Sequence, residues 1–226
     1  TRLYPSWRAE LAIIYNVGAN LARVCFTLLS RWTVEGKEAV PPRGRLLIVC
    51  NHQSNADPPV VAASMPRRVY FMGKEGLFAG PILSALLKAC GVYPVRRSGH
   101  DYRALQWGLH LLEQDMALVM FPEGARNPGR MKRATRGTAY LAIKTQAPIL
   151  PVAITGTENV RGMIRVPAPL CRMHVRIGQP FTLPMITGQI SRPVLDHLTS
   201  MIMGRVADLL PPSYRGIYSR DPEIPT

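Results

Sequence analysis

The sequence predicts an α/β fold: a mixed central sheet flanked by helices, preceded by an amphipathic helical segment at the N-terminus. Three observations lead there. A chain of 226 residues that is 47% apolar, with mean hydropathy near zero, suits one globular domain with a real core. From residue 39 onward, short apolar runs alternate with helical stretches, the layout of a layered α/β domain. Before that point, residues 9–31 carry apolar side chains at helical spacing.

In that first segment Leu11, Ile14, Tyr15, Leu21, Val24, Cys25, Leu28 and Leu29 form the repeat, and Glu10, Asn16, Asn20, Arg23 and Arg31 interrupt it. The interruptions leave no run of about 20 apolar residues, so a membrane-spanning helix is not expected. Two roles fit such a helix: lying in the bilayer interface, or covering the core. The expectation taken forward is a membrane-associating segment over residues 1–38 and a single domain over 39–226. Residue 1 is Thr rather than Met, so a longer N-terminus is expected. No cleavable signal peptide is read, because the apolar stretch lacks a short core ending in small residues.

Strands are expected over residues 46–50, 69–71, 92–95, 117–121, 149–154 and 172–177, with helices over 59–64, 81–90, 101–114 and 135–145 between them. A last helix over 192–210 has Val194, Leu198, Met201, Ile202, Val206 and Leu209 on one face and stops at Pro211 and Pro212. The polar, proline-bearing tail after Tyr218 is expected to fray.

A net charge of +14 and a pI near 10.3 attract polyanions: nucleic acid, anionic lipid or phosphorylated small molecules. Nucleic acid is set aside, because there is no helix-turn-helix signal, zinc spacing or RNP-like aromatic motif, and aromatics are only 7% of residues. Cys25, Cys50, Cys90 and Cys171 are scattered without a CxxC pair, which suits buried thiols in a reducing compartment. The histidines show no metal-ligand spacing, so no metal is expected.

Two constellations carry chemistry. Asn51-His52-Gln53-Ser54-Asn55-Ala56-Asp57 follows the apolar run LLIVC, and the four residues between His52 and Asp57 let a turn bring the carboxylate to one imidazole nitrogen. That is the His–Asp half of a catalytic triad, in which a substrate hydroxyl replaces the serine; alone, the spacing also fits two residues that merely cap a turn. Phe121-Pro122-Glu123-Gly124-Ala125-Arg126 follows the run ALVM, with Arg130, Lys132, Arg133 and Arg136 behind it and no acidic residue between Arg126 and Arg136. Guanidinium groups beside a glycine suit a phosphate, and Glu123 is placed to orient Arg126 or contact acceptor hydroxyls; a solvated basic loop is the plainer reading.

Together, and in this order, the motifs resemble the glycerolipid acyltransferases of the 1-acylglycerol-3-phosphate acyltransferase family. The blocks are VEGKEAVPPRGRLLIVCNHQSNADP, GKEGLFAGPILSALLKACGVYPVRRSGHD, MFPEGARNPGR and RGTAYLAIKTQAPILPVAITGT. The resemblance implies that His52 and Asp57 form the catalytic pair. It also implies that Arg97, Glu123, Gly124 and Arg126 belong to the acceptor site, and that Pro148 to Pro151 line or support it. Lys74 and Glu75 match the family's Lys-Glu pair, which suits a structural ion pair or a ligand contact, and Lys74 and Arg96 are counted with the substrate-binding residues. Three departures fall near the head-group site: Arg96 in place of a common acidic residue, Ala125 in place of Thr or Ser, and Asn127 in place of Ser.

The reaction so implied moves a fatty acyl group from acyl-CoA or acyl carrier protein to lysophosphatidic acid, giving phosphatidic acid, with no cofactor beyond the acyl donor. Glycerol 3-phosphate, another lysophospholipid or a glycolipid remain open as acceptors, and a non-catalytic membrane-surface protein is the reading from another class. An anionic membrane surface is the expected partner, and the cytoplasmic face of the cell membrane the expected location, with peripheral or monotopic attachment.

Overall fold

The almost uninterrupted apolar runs of the sequence need cover on both faces, and in the computed structural model they lie side by side in the middle of one sheet. The structure describes residues 9–96, 101–160, 162–186 and 188–219. Its strands are β1 (Arg31–Glu35), β2 (Leu46–Cys50), β3 (Tyr70–Lys74), β4 (Val92–Val95), β5 (Ala117–Met120), β6 (Ile149–Thr155) and β7 (Arg172–Ile177). They are arranged in the order β1-β7-β6-β2-β5-β3-β4. Neighbours run parallel except β6 and β7, which are antiparallel. The mixed sheet flanked by helices is the expected architecture.

The helices are α1 (Ala9–Leu29), α2 (Asp57–Ser64), α3 (Pro81–Ala89), α4 (Tyr102–Glu113), α5 (Gly137–Thr145) and α6 (Arg192–Asp208). Because side chains alternate along a strand, β2 feeds two cores. Leu46, Ile48 and Cys50 pack with Tyr15 and Phe26 of α1 and Val60 and Val61 of α2. Leu47 and Val49 pack with Trp107 and Leu111 of α4, Leu141 of α5 and Ile202 and Val206 of α6. A strand buried on both faces reads as LLIVC, with no polar alternation.

One element departs from the expectation. Periodicity alone runs the first helix to residue 31 and places no strand before 46, whereas the structure ends α1 at Leu29 and begins β1 at Arg31. The sequence RWTVE has only two apolar residues, and just these two are turned inward, so an edge strand with one wet face leaves a weak signal. Its register is set by Trp32 beside Met173 and Val34 beside Val175. The sheet therefore starts within the segment drawn as residues 1–38.

The α1 helix has two apolar stripes. Tyr15, Ala19 and Phe26 are buried, while Ile13, Val17, Leu21, Val24 and Leu28 are each more than half exposed. Arg23 ties the helix down, donating to the carbonyls of Ala63 and Met65 at 2.8 Å. Among the described residues, no helix is long and apolar enough to cross a membrane. All four cysteines are free, and only Cys50 is fully buried.

Candidate active site

β6, β2 and β5 are parallel neighbours, so their C-terminal ends open on one edge of the sheet, where α/β proteins place their ligands. The turn after β2 supplies His52 and Asp57, the loop after β5 supplies Glu123 to Arg126, and the turn after β6 supplies Thr157. β3 and β4 bring Lys74 and Arg96 to the same edge.

Asp57 is the first residue of α2, and the following prolines suit a first helical turn, where no backbone N–H is needed. Its carboxylate is fully buried. Oδ2 lies 2.7 Å from Nδ1 of His52 and accepts the backbone N–H groups of Gln53 (2.6 Å) and Ser54 (2.9 Å). Oδ1 accepts the hydroxyl of Thr157 at 2.6 Å. A carboxylate so placed keeps the proton on Nδ1 and leaves Nε2 as the basic nitrogen. Phe121 stacks on the imidazole, with ring centroids 4.4 Å apart, so the ring is fixed in plane as well as in tautomer. Asn51 anchors the turn from beneath, exchanging two 2.8 Å hydrogen bonds with the backbone of Ile154 on β6.

Glu123 also faces inward. Oε1 accepts the backbone N–H of His52 at 3.0 Å, and Oε2 accepts the Asn127 amide (2.7 Å) and the Lys132 backbone N–H (2.8 Å). Burial pushes its carboxyl up from the ordinary range, and these three donors pull the other way. The expectation that Glu123 holds Arg126 or acceptor hydroxyls meets a carboxylate already engaged in joining the two loops. Asn127 completes the join: its backbone N–H donates to the His52 carbonyl at 2.7 Å. Asn127 is thus one of three donors that satisfy Glu123.

Gly124 turns the chain out of this clamp with φ of 67°, a left-handed conformation that favours glycine. Arg126 then stands exposed, with no ion pair or hydrogen bond to the described residues, one position from the backbone that touches His52. Gly156, at φ 88°, makes the matching turn on the β6 side: a Cβ there would sit 1.9 Å from the Arg172 carbonyl oxygen. That close approach sets Thr157 under Asp57.

Of the other expected residues, Lys74 is exposed at the end of β3. Arg96 is exposed and pairs with Glu75 at 3.2 Å, and among the described residues no ion pair joins Lys74 to Glu75. Arg97 lies outside the described residues. Pro151 sits on buried β6 and Pro148 just before it. Thr157 and the inward role of Asn127 went unread, although Thr157 closes the block PILPVAITGT.

The segment 211–219 straps both outer loops. Met131 donates its N–H to the Tyr214 carbonyl and Ala134 to the Tyr218 hydroxyl, while the Tyr214 hydroxyl donates to Glu158. Among the described residues, no group of three or more His, Cys, Asp or Glu is placed to hold a metal.

The chain resembles known proteins in sequence and in fold. A family model described as Acyltransferase matches residues 31–155, more than half of the chain. A 1-acyl-sn-glycerol-3-phosphate acyltransferase of Streptococcus pneumoniae is 28% identical over 69% of this chain, and the chain spans only 60% of that protein's length. The enzyme of the same name from Bacillus subtilis is 23% identical, with 87% of this chain and 96% of that one aligned. The crystal structure of a 1-acyl-sn-glycerophosphate (LPA) acyltransferase from Thermotoga maritima superposes with a TM-score of 0.68 at 25% identity, covering 88% of this chain and 80% of that one.

Proposed function

The chain belongs to the acyltransferase family, and from that premise we propose that it acylates the free hydroxyl of 1-acyl-sn-glycerol 3-phosphate from acyl-CoA or acyl carrier protein, giving phosphatidic acid. The observation that carries this reading is the His52–Asp57 pair, locked by buried hydrogen bonds beside a loop of exposed cations.

The residues divide the work. Nε2 of His52 takes the proton from the acceptor hydroxyl as its oxygen attacks the thioester carbonyl, and Asp57 stabilises the imidazolium that forms. The tetrahedral intermediate collapses, the carbon–sulfur bond breaks, and the departing thiolate takes the proton from Nε2. Proton balance closes on His52 alone, so the reaction calls for no resident metal. Arg126, with Arg130, Lys132 and Arg133 behind it, supplies donors for the acceptor phosphate.

Acceptor and product are lipids, and the exposed stripe of α1 supports work at a membrane surface. Shallow insertion of Leu21, Val24 and Leu28 beside a strongly basic chain suits the anionic, cytoplasmic face of the cell membrane. Binding to anionic vesicles should then have one part removed by salt and one that persists. The decisive experiment is transfer of a labelled acyl group across a panel of acceptors: lysophosphatidic acid, glycerol 3-phosphate, lysophosphatidylcholine and a glycolipid, each with both donors. Preference for lysophosphatidic acid is expected, and equal use of a phosphate-free acceptor would sink the assignment.

A further inference from the structure

The sheet ends in the pair β7–β1, and the parallel register of the two strands stacks the side chains of their open face in rows. Arg31 stands beside Arg172, Thr33 beside His174 and Glu35 beside Arg176. The last two rows compensate one another: Glu35 lies 2.9 Å from His174 Nε2 through one oxygen and 3.1 Å from Arg176 Nε through the other. The first row does not. Arg31 and Arg172 are both exposed, and neither side chain makes an ion pair or hydrogen bond with the described residues.

Like charges in register on adjacent strands destabilise a sheet. Two neighbouring guanidinium groups without a carboxylate therefore call for an anion from outside, and planar donors of this kind fit phosphate oxygens. Arg31 and Arg172, with Thr33, Thr155, Met173 and His174, line a cavity of about 410 Å³. Its position matters as much as its charge. Thr155 pairs with His174, which puts Arg172 and Arg31 at the catalytic edge of the sheet, and Thr155 is two residues before the Thr157 that bonds Asp57.

The catalytic pair thus has a cationic site on each flank: the Arg126 loop after β5 on one side, and the Arg31–Arg172 row beyond β6 on the other. An acyl transfer needs two substrates to meet at His52 from different directions, each with a charged end held away from the chemistry. We propose that the Arg31–Arg172 cavity binds the phosphate at the end of the acyl donor's pantetheine arm, leaving the β5 loop for the acceptor. This rests on the acyl-transfer reading above. Coenzyme A and acyl carrier protein both present phosphate on that arm, so the shared chemistry is the phosphate.

The test pairs binding with kinetics on the full chain. Calorimetry with coenzyme A and with phosphate-free pantetheine should show tighter binding of coenzyme A, and Arg31→Gln/Arg172→Gln should lose about tenfold or more of that affinity. The same double variant should raise the donor KM by a similar factor while the acceptor KM stays put. Arg43→Gln, which removes an exposed charge before the opposite end of β2, should behave as the unaltered chain does.

Running the kinetics with acyl-CoA and with acyl carrier protein tells which carrier supplies the phosphate: the KM shift appears with the carrier that uses the cavity. Unchanged coenzyme A affinity together with an unchanged KM for both donors would overturn the proposal, as would an equal rise in the acceptor KM. Coenzyme A binding that depends on the two arginines in a chain that transfers no acyl group would instead sink the acyltransferase reading and leave the cavity as a phosphate site.

Discussion

Two loops leave neighbouring strands at the same edge of the sheet and are built on opposite principles. In the turn after β2, His52 and Asp57 are buried, and each carboxylate oxygen of Asp57 has a hydrogen-bonded partner. In the loop after β5 the backbone is clamped at Glu123, but Arg126, Arg130, Lys132 and Arg133 are exposed. The difference matches what each loop handles. Moving a proton between atoms demands a fixed geometry, which a buried, hydrogen-bonded pair provides. Holding a doubly charged head group demands several mobile cations, which retain their hydration until the ligand arrives.

If that contrast is right, changes in the first loop cost turnover and changes in the second cost affinity. The largest effect should come from His52→Ala, with kcat falling roughly 10²–10⁴-fold in a protein that still folds. Asp57→Asn should be comparably severe, because an amide can favour the wrong tautomer. A well-folded His52→Ala chain with more than about a tenth of normal turnover would break the contrast at its root. Next comes Arg126→Ala. Losing charge-assisted hydrogen bonds worth about 1.5–3 kcal/mol should raise the acceptor KM roughly 10- to 100-fold with little change in kcat. Equal losses on phosphorylated and unphosphorylated acceptors would remove the phosphate from the explanation.

A smaller effect should sharpen the boundary between the loops. Thr157 touches Asp57 alone in this network, so Thr157→Val should lower kcat about tenfold and leave both KM values alone, and Thr157→Ser should restore most of the loss. A Thr157→Val chain that lost stability without losing kcat would make the residue structural. The smallest effect concerns the strap. Burial first, and the Glu158 carboxylate second, push the Tyr214 phenol up from 10.0 to about 12. The fold therefore favours the neutral phenol: this contribution to stability is whole below pH 10.0 and is lost as pH rises through about 12. An absorbance titration of tyrosinate should show a late-ionising tyrosine that Tyr214→Phe removes.

What the sequence disclosed follows from how much each element depends on its own residues. β2, β5 and β6 are buried on both faces and announce themselves as apolar runs, and the polar turn after LLIVC stands out against them. The spacing of His52 and Asp57 is local, so their contact was readable. β1 was not readable, because an edge strand with one wet face borrows its stability from β7, which lies far away in sequence. Thr157 was hidden for the same reason: it is separated by 100 positions from the carboxylate it serves. Glu123 was half readable. Its place beside a basic loop suggested a ligand contact, but its partners are chiefly backbone N–H groups, which every residue possesses and no pattern marks.

The strap carries a consequence for the order in which the molecule is completed. Residues 211–219 follow every strand and every α-helix among the described residues, yet they hold the backbone of the β5 loop at Met131 and Ala134 and the β6 turn at Glu158. During synthesis, the His52–Asp57 pair can assemble as soon as β6 has joined the sheet, while the loop of cations waits for a much later segment. Catalytic power would thus arrive before discrimination between acceptors. A ribosome-bound chain halted near residue 210 should already present the fixed imidazole but not a settled head-group site.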